Sequence, residues 1–208
     1  EAKQLVDNGV KEITLLGQNV NAYYYQKKKI SDLIYNLNSI NGLERIRYTT
    51  SHPKDVTEDL MNVHADCEKL MPLLHLPVQS GSSKILKSMN RKHDREYYLK
   101  IISELKRKKK SIKFSSDFII GYPGEKEEDF KDTLSLLKKI EFINSYSFLY
   151  SPRPGTPAAD LLTIENEVAK GRLFEFQNQA NAIKTKYRES LFYTKTKVLF
   201  ENKLKNNA

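Results

Sequence analysis

The chain has one cysteine, Cys67, among 208 residues, which rules out a disulfide framework or a four-cysteine zinc site within it. Cys67 sits in Asp66-Cys67-Glu68 with no histidine at nucleophile spacing, so it reads as a structural thiol. Tryptophan is absent, and the four histidines, His52, His64, His75 and His93, include no i, i+4 pair, so local spacing assembles no metal site. No apolar run approaches the roughly 18 to 20 residues that span a bilayer, and no charged-then-apolar leader opens the chain. The chain reads as soluble and cytoplasmic. It begins at Glu1 without an initiator methionine and stops at Ala208 soon after an apolar run, so both ends read as internal to a longer protein.

What the sequence has is cations. Thirty-five Lys and Arg against 26 Asp and Glu give a formal charge of +9, which favours a polyanionic partner such as nucleic acid. Lys- and Asn-rich usage gives the same excess, so charge alone does not choose. The densest run, residues 106–110, falls at the end of a predicted helix, where cations suit the negative end of the dipole.

Five β-type runs end in glycine, serine or proline: residues 12–16, 45–50, 73–76, 114–120 and 145–150. Between and around them lie helical patterns of near-3.6 period over 1–8, 30–39, 57–65, 83–89, 95–108 and 128–140, and a long helix is expected over about 164–190. Strands alternating with helices predict an α/β fold with a parallel sheet, either a barrel-like arc or a doubly wound sheet, the arc being favoured. A strand-like run at 197–201 follows the last helix.

Ligands of such folds sit at the carboxyl ends of the strands. Those positions carry Gly17-Gln18-Asn19-Val20-Asn21, Ser51-His52-Pro53, Pro77-Val78-Gln79-Ser80-Gly81-Ser82, Gly121-Tyr122-Pro123-Gly124-Glu125 and Ser151-Pro152-Arg153-Pro154-Gly155-Thr156-Pro157. The amides and hydroxyls of Asn19, Gln79 and Ser80 suit a small polar cofactor, and Gly121 lets a ligand approach the backbone. A plain strand-to-helix connection uses the same residue types. The run Tyr23-Tyr24-Tyr25-Gln26, followed by three lysines, is an aromatic and basic loop suited either to lining the path of a base or to no role at all.

Taken in order, Leu15-Leu16-Gly17-Gln18-Asn19-Val20-Asn21-Ala22-Tyr23, Thr49-Thr50-Ser51-His52-Pro53, Leu74-His75-Leu76-Pro77-Val78-Gln79-Ser80-Gly81-Ser82, Ser115-Ser116-Asp117-Phe118-Ile119-Ile120-Gly121-Tyr122-Pro123-Gly124-Glu125 and the stretch from Ser145 through Ala159 resemble the radical S-adenosylmethionine (SAM) methylthiotransferases. The resemblance spans nearly the whole chain and points to the members that act on N6-dimethylallyladenosine beside the tRNA anticodon. It implies a partial (β/α)6 radical SAM barrel, of which this chain supplies strands two to six over residues 1–193, followed over 194–208 by the first strand of a TRAM β-barrel that contacts tRNA. It further implies SAM and two [4Fe-4S] clusters as cofactors, with a 5′-deoxyadenosyl radical abstracting hydrogen from adenine before a methylthio group is installed. The cluster cysteines of the family lie before the position of Glu1, and one cysteine cannot replace six. Tethering of tRNA through its anticodon loop, an unidentified sulfur donor and a monomeric full-length protein complete the expectation.

By the same resemblance, Gln18 and Asn19 stand where the SAM amino group is held. Ser51, Gln79 and Ser80 fall near its carboxylate, ribose or sulfonium, and Ile120 and Gly121 beside its adenine. Glu125 reads as a brace for that loop, and Asp117 stands where the family motif often has glycine. Arg153 has two readings, a contact to substrate or SAM carboxylate, or a brace of the proline-rich exit from the last strand. Relatives acting on a ribosomal-protein aspartate or on threonylcarbamoyladenosine, or an RNA-binding barrel without clusters, are the alternative functions.

Overall fold

A computed structural model of the chain describes residues 1–49 and 51–200. The first helix, α1 (Ala2–Asp7), leads into strand β1 (Glu12–Leu15), then a short hairpin of β2 (Tyr24–Tyr25) and β3 (Lys28–Lys29). Helix α2 (Ile30–Asn38), strand β4 (Arg45–Tyr48), helix α3 (Glu58–Asp66) and strand β5 (Leu73–His75) follow. Two helices, α4 (Ser83–Ser88) and α5 (Arg95–Lys108), precede strand β6 (Lys113–Ile120), and α6 (Glu127–Ile140) precedes strand β7 (Asn144–Leu149). The long helix α7 (Asn166–Glu189) comes last.

Local chemistry sets the helix boundaries. Asp94 caps α5 by accepting from the Tyr97 amide at 2.7 Å, and Lys106, Arg107 and Lys108 occupy the last turn, where the helix dipole favours cations. In α6 the Asp129 carboxylate reaches back to the Lys126 amide at 2.9 Å, and the helix stops at Glu141 in a left-handed conformation, φ 58°.

Among the described residues, β1 and β4 pair in one parallel sheet and β5, β6 and β7, in that order, in another. Glu12 pairs with Arg45 and Leu15 with Tyr48, while β6 pairs with β5 from Leu73↔Lys113 to His75↔Ser115 and with β7 from Ser115↔Asn144 to Ile120↔Leu149. The two halves meet at one bridge, Ile46↔Leu70, where the Ile46 amide donates to the Lys69 carbonyl at 2.8 Å and its carbonyl accepts from Met71 at 3.0 Å. Each long strand is followed by helix, as parallel crossovers require. The two parallel sheets, joined at that bridge, form a five-stranded arc that fits the barrel-like expectation.

Side-chain alternation gives the arc two faces. Outward, Ile46, Leu74, Phe114, Phe118 and Ile120 are at most 1% exposed and pack under the helices, with Phe118 between Phe142 and Phe176 at ring-centroid distances of 5.5 and 4.7 Å. Inward, the register aligns Glu12 with Arg45, Thr14 with Arg47, His75 with Ser115 and Asp117 with Tyr146. A closed (β/α)8 barrel fills its interior with branched apolar layers. The interior of this arc carries charged pairs as well, Arg47 Nε lying 2.8 Å from Glu12 Oε1. Residues 194–200 form no strand, and the Lys197 carbonyl accepts from Arg45 Nη2 at 3.0 Å. Glu201, the end of the expected strand-like run, lies outside the described residues, as does Thr50.

Candidate functional site

At the carboxyl ends of β5, β6 and β7 the arc opens into a cavity of about 670 Å³, within the size range of small-molecule sites. Its lining combines polar Gln79, Arg91, Asp117 and Arg153 with aromatic Tyr122, Phe148 and Tyr150. Tyr122 and Tyr150 meet edge to face at 5.1 Å, and the Tyr122 hydroxyl donates to the Ser88 carbonyl at 3.1 Å, which fixes these rings. Burial lowers the pKa of Arg91 and the Asp117 carboxylate pulls it back up. Below the cavity on the same face, His75 Nδ1 lies 2.9 Å from Ser115 Oγ and Nε2 lies 3.5 Å from Asp117 Oδ1, which orients the imidazole between them.

Gln79 enters this site because its backbone is unusual. It keeps the parallel ladder, donating to the Asp117 carbonyl and accepting from the Ile119 amide, both at 2.9 Å, while holding φ at 76°. That left-handed conformation costs a non-glycine residue on the order of 1 kcal/mol or more and concentrates at functional positions. Its neighbours face the other way. Ser80 is 1% exposed and turns to α6, its Oγ 3.4 Å from Thr133 Oγ1 and accepting from the Ser82 amide at 3.2 Å. Gly81 donates to Thr133 Oγ1 at 3.0 Å, and a Cβ there would lie 2.5 Å from the Asp132 carbonyl oxygen. Arg95 completes the seam by donating to the carbonyls of Gly81 and Asp132 at 2.8 and 2.6 Å. The Ser80 hydroxyl is thus engaged with the loop and helix α6, and Ser80 is not among the residues lining the cavity.

In the loop after β6, Ile120 points outward into the core with no exposed surface and is not among the residues lining the cavity; its carbonyl accepts from the Tyr150 amide at 2.9 Å. Gly121 has φ 76°, and a Cβ there would come within 2.9 Å of the Ala169 Cβ on α7. Backbone conformation and close helix approach both account for a glycine here. Glu125 holds this loop, as expected: its Oε1 accepts from the Gly121 amide at 3.2 Å and from Arg172 Nη1 at 3.0 Å. Burial raises the Glu125 pKa, and the Gly121 amide and Arg172 oppose that rise.

The β1 and β4 loops form a second group. Asn19 Nδ2 donates to Asp55 Oδ2 at 2.7 Å, while its Oδ1 is buried without a partner. Asn21, which the sequence did not single out, ties the loops together by donating to the His52 carbonyl and accepting from the His52 amide, both at 2.9 Å. Ser51 is 6% exposed and its Oγ has no partner, and Gln18 is exposed. Gln18, Asn19 and Ser51 thus lie outside the cavity lined by Gln79 and Arg153. Missed in the sequence were Arg91, Asp117 as a cleft residue, and the Tyr122–Tyr150 wall; the alternation of β6 would have found Asp117, which shares its face with Ser115 and Ile119. Cys67 is fully buried at the end of α3, a structural position, and burial raises its pKa.

A profile of the radical SAM superfamily matches residues 1–137. The chain belongs to that superfamily. Among curated proteins it is 55% identical over 99% of its length to the tRNA-2-methylthio-N(6)-dimethylallyladenosine synthase of Pelagibacter ubique, and 51% identical over 97% to the protein of that name from Rickettsia canadensis. It spans 47% and 46% of those proteins, about half the length of the curated relatives it matches. Among solved structures, coproporphyrinogen III oxidase from Escherichia coli, a radical SAM enzyme, aligns with a TM-score of 0.58 at 15% identity over 89% of this chain and 44% of that one. The archaeal Elp3 of Methanocaldococcus infernus aligns at 0.57 and 14% over 91% of this chain and 58% of its own. At such identities these two share the fold.

Radical SAM membership implies SAM and a [4Fe-4S] cluster, and the two fit these residues differently. The cavity offers one amide, one carboxylate and guanidinium groups together with aromatic rings, a donor set suited to SAM. For a cluster the fit fails: among the described residues no group of three or more His, Cys, Asp or Glu could hold a metal, and the lone Cys67 is buried away from the cleft.

Proposed function

We propose that this chain is the SAM-binding and substrate-facing part of a tRNA methylthiotransferase, which converts N6-dimethylallyladenosine beside the anticodon to its 2-methylthio derivative. The observation that carries the reading is 55% identity sustained over 99% of the chain to a relative bearing that activity's name. The polar cleft supports it. Bound SAM supplies hydrogen-abstraction chemistry, and the residues here bind and orient it. The Gln79 amide and the Asp117 carboxylate, which line the cavity, would hold the polar groups of SAM, and the loop at Ile120 and Gly121 follows the strand that carries Asp117. Arg91 and Arg153 are the cations available to a carboxylate or a substrate phosphate. Tyr122, Phe148 and Tyr150 keep water from the reacting region, and Gln18, Asn19 and Ser51 flank it from the β1 and β4 side.

The cluster ligands belong to protein outside these 208 residues in this reading, and residues 194–208 begin a TRAM barrel that meets tRNA. The Arg45 contact to Lys197 supports only the route of the chain into it. No described helix is long and apolar enough to cross a membrane, and a cytoplasmic monomer acting on the tRNA anticodon loop fits the reading.

The test extends the chain to the length of its relatives, reconstitutes it anaerobically with iron and sulfide, and supplies SAM, reductant and tRNA carrying isopentenyladenosine. Nucleoside mass spectrometry should find one added methylthio group on that adenosine. Modification of a ribosomal-protein aspartate with the tRNA untouched would overturn the substrate assignment. The 208-residue chain treated in the same way should show no stoichiometric [4Fe-4S] paramagnetic signal and no SAM cleavage.

A further inference from the structure

The hairpin between β1 and α2 has a construction that the cofactor site does not explain. Strands β2 and β3 are two residues each, paired Tyr24↔Lys29 and Tyr25↔Lys28. The two turn residues between them, Gln26 and Lys27, hold φ at 47° and 62°. Successive left-handed residues give the turn that matches strand twist in a two-residue hairpin loop, a place normally filled by Asn-Gly or Gly. Here neither is glycine, so the ribbon persists against a local conformational cost. Its base is fastened: the Lys29 amide donates to Asp32 Oδ2 at 2.8 Å, Lys29 Nζ lies 3.3 Å from Asp59 Oδ1, and Ser31 Oγ donates to Asp59 Oδ2 at 2.7 Å.

What this ribbon presents is aromatic and cationic. Tyr24 and Tyr25 are 66% and 61% exposed, and each shares a face with a lysine by the cross-strand register. On the Tyr25 face the ring hydroxyl accepts from Gln26 Nε2 at 3.2 Å, and Lys28 is held only by a 3.8 Å contact to Asp32 with 64% of its side chain exposed. An ion pair that open is worth little and can be traded for a phosphate. Residues 23–29 contain three tyrosines and three lysines and no carboxylate, in a chain of formal charge +9. The hairpin follows the carboxyl end of β1, so it stands at the same end of the arc as the Gln79 cavity.

We propose that the Tyr24–Lys29 hairpin is an RNA-contacting finger, on which an unpaired nucleotide of the substrate loop stacks against Tyr25 or Tyr24 while Lys27 and Lys28 meet the adjoining phosphates. Exposed aromatics on a rigid element beside lysines are the means by which proteins hold unpaired bases, since every base has a face to stack and a phosphate to neutralise. The proposal rests on the tRNA reading and deepens it by naming the contact surface.

The test uses the protein extended to the length of its relatives, with a fluorescent anticodon stem-loop RNA for anisotropy titration and SAM binding measured in parallel by calorimetry. Tyr24→Ala with Tyr25→Ala should weaken RNA binding tenfold or more with SAM affinity unchanged. Tyr25→Trp should retain binding. Lys27→Gln with Lys28→Gln should make the dependence of log affinity on log salt shallower by about 1.5, the loss of two phosphate contacts on single strands. Wild-type protein that binds the RNA while the double alanine variant binds it equally well would overturn the finger alone. Wild-type protein that binds no RNA would overturn the finger and the tRNA reading together.

Discussion

The two faces of one sheet behave as different molecules. On the outward face, Leu74, Phe114, Phe118 and Ile120 are at most 1% exposed and interlock with the helices. On the inward face, one residue along each strand, Glu12, Arg47, His75 and Asp117 carry charge or hydrogen bonds, and Tyr146 and Phe148 are 53% and 57% exposed. The period of two places stability and chemistry on neighbouring residues of the same strand, so adjacent substitutions should have unlike consequences.

The largest effect belongs to the outward face. Phe118→Ala removes a ring held between Phe142 and Phe176 and should destabilise the extended protein by about 3 to 5 kcal/mol, read as a lowered urea midpoint. Asp117→Asn, one residue earlier, should change the stability read from that midpoint by less than about 1 kcal/mol, because the side chain is in the cleft. Equal losses in both would erase the distinction between the faces.

Next comes acid sensitivity, which also belongs to the outer layer. His64 is buried on α3, sharing a 2.6 Å hydrogen bond with the Tyr48 hydroxyl, and burial pushes its pKa down to about 4. His93, 7% exposed and beside His52 at 5.6 Å, is pushed down to about 4 chiefly by burial. Both stay neutral in the fold while the unfolded chain takes up protons near pH 6.5. Stability is therefore full above about pH 6.5 and is lost as pH falls toward 4, on the order of 3 kcal/mol for a histidine so shifted. His64→Asn should flatten the slope of the urea midpoint between pH 6.5 and 4. An unaltered slope would mean that His64 is not held neutral.

A smaller effect is expected at Gly121, where face and loop meet. Gly121→Ala places a methyl against Ala169 at a left-handed φ and should cost about 1 to 3 kcal/mol by strain and overpacking. Thermal melts without SAM should carry most of that loss. A variant as stable as wild type, with SAM binding abolished, would return Gly121 to the role of making room for the cofactor.

Most of the strands and helices were legible because alternating apolar runs and 3.6-residue patterns act locally, and punctuation such as Asp94 and Gly121 falls at their ends. The site was legible as a set of loops rather than as a set of side chains. Spacing marks residues 77–82 as a strand end, but it cannot reveal that Gln79 has φ 76° and faces the cavity while Ser80, one bond further, is sealed against Thr133. Nor can it show that Gly121 answers to Ala169, some fifty residues away and brought near by α7. The hairpin escaped as a secondary-structure element because its turn uses Gln26 and Lys27 where sequence rules look for glycine.

The central claim, that inward-facing residues and not their sequence neighbours hold the cofactor, is tested most directly by calorimetric SAM titration of Gln79→Ala and Ser80→Ala in the reconstituted, extended protein. Loss of one polar contact should weaken SAM binding in Gln79→Ala by about 1 to 2 kcal/mol, with Ser80→Ala binding SAM as wild type does and melting at a lower temperature. Unchanged affinity in Gln79→Ala together with weakened affinity in Ser80→Ala would contradict it.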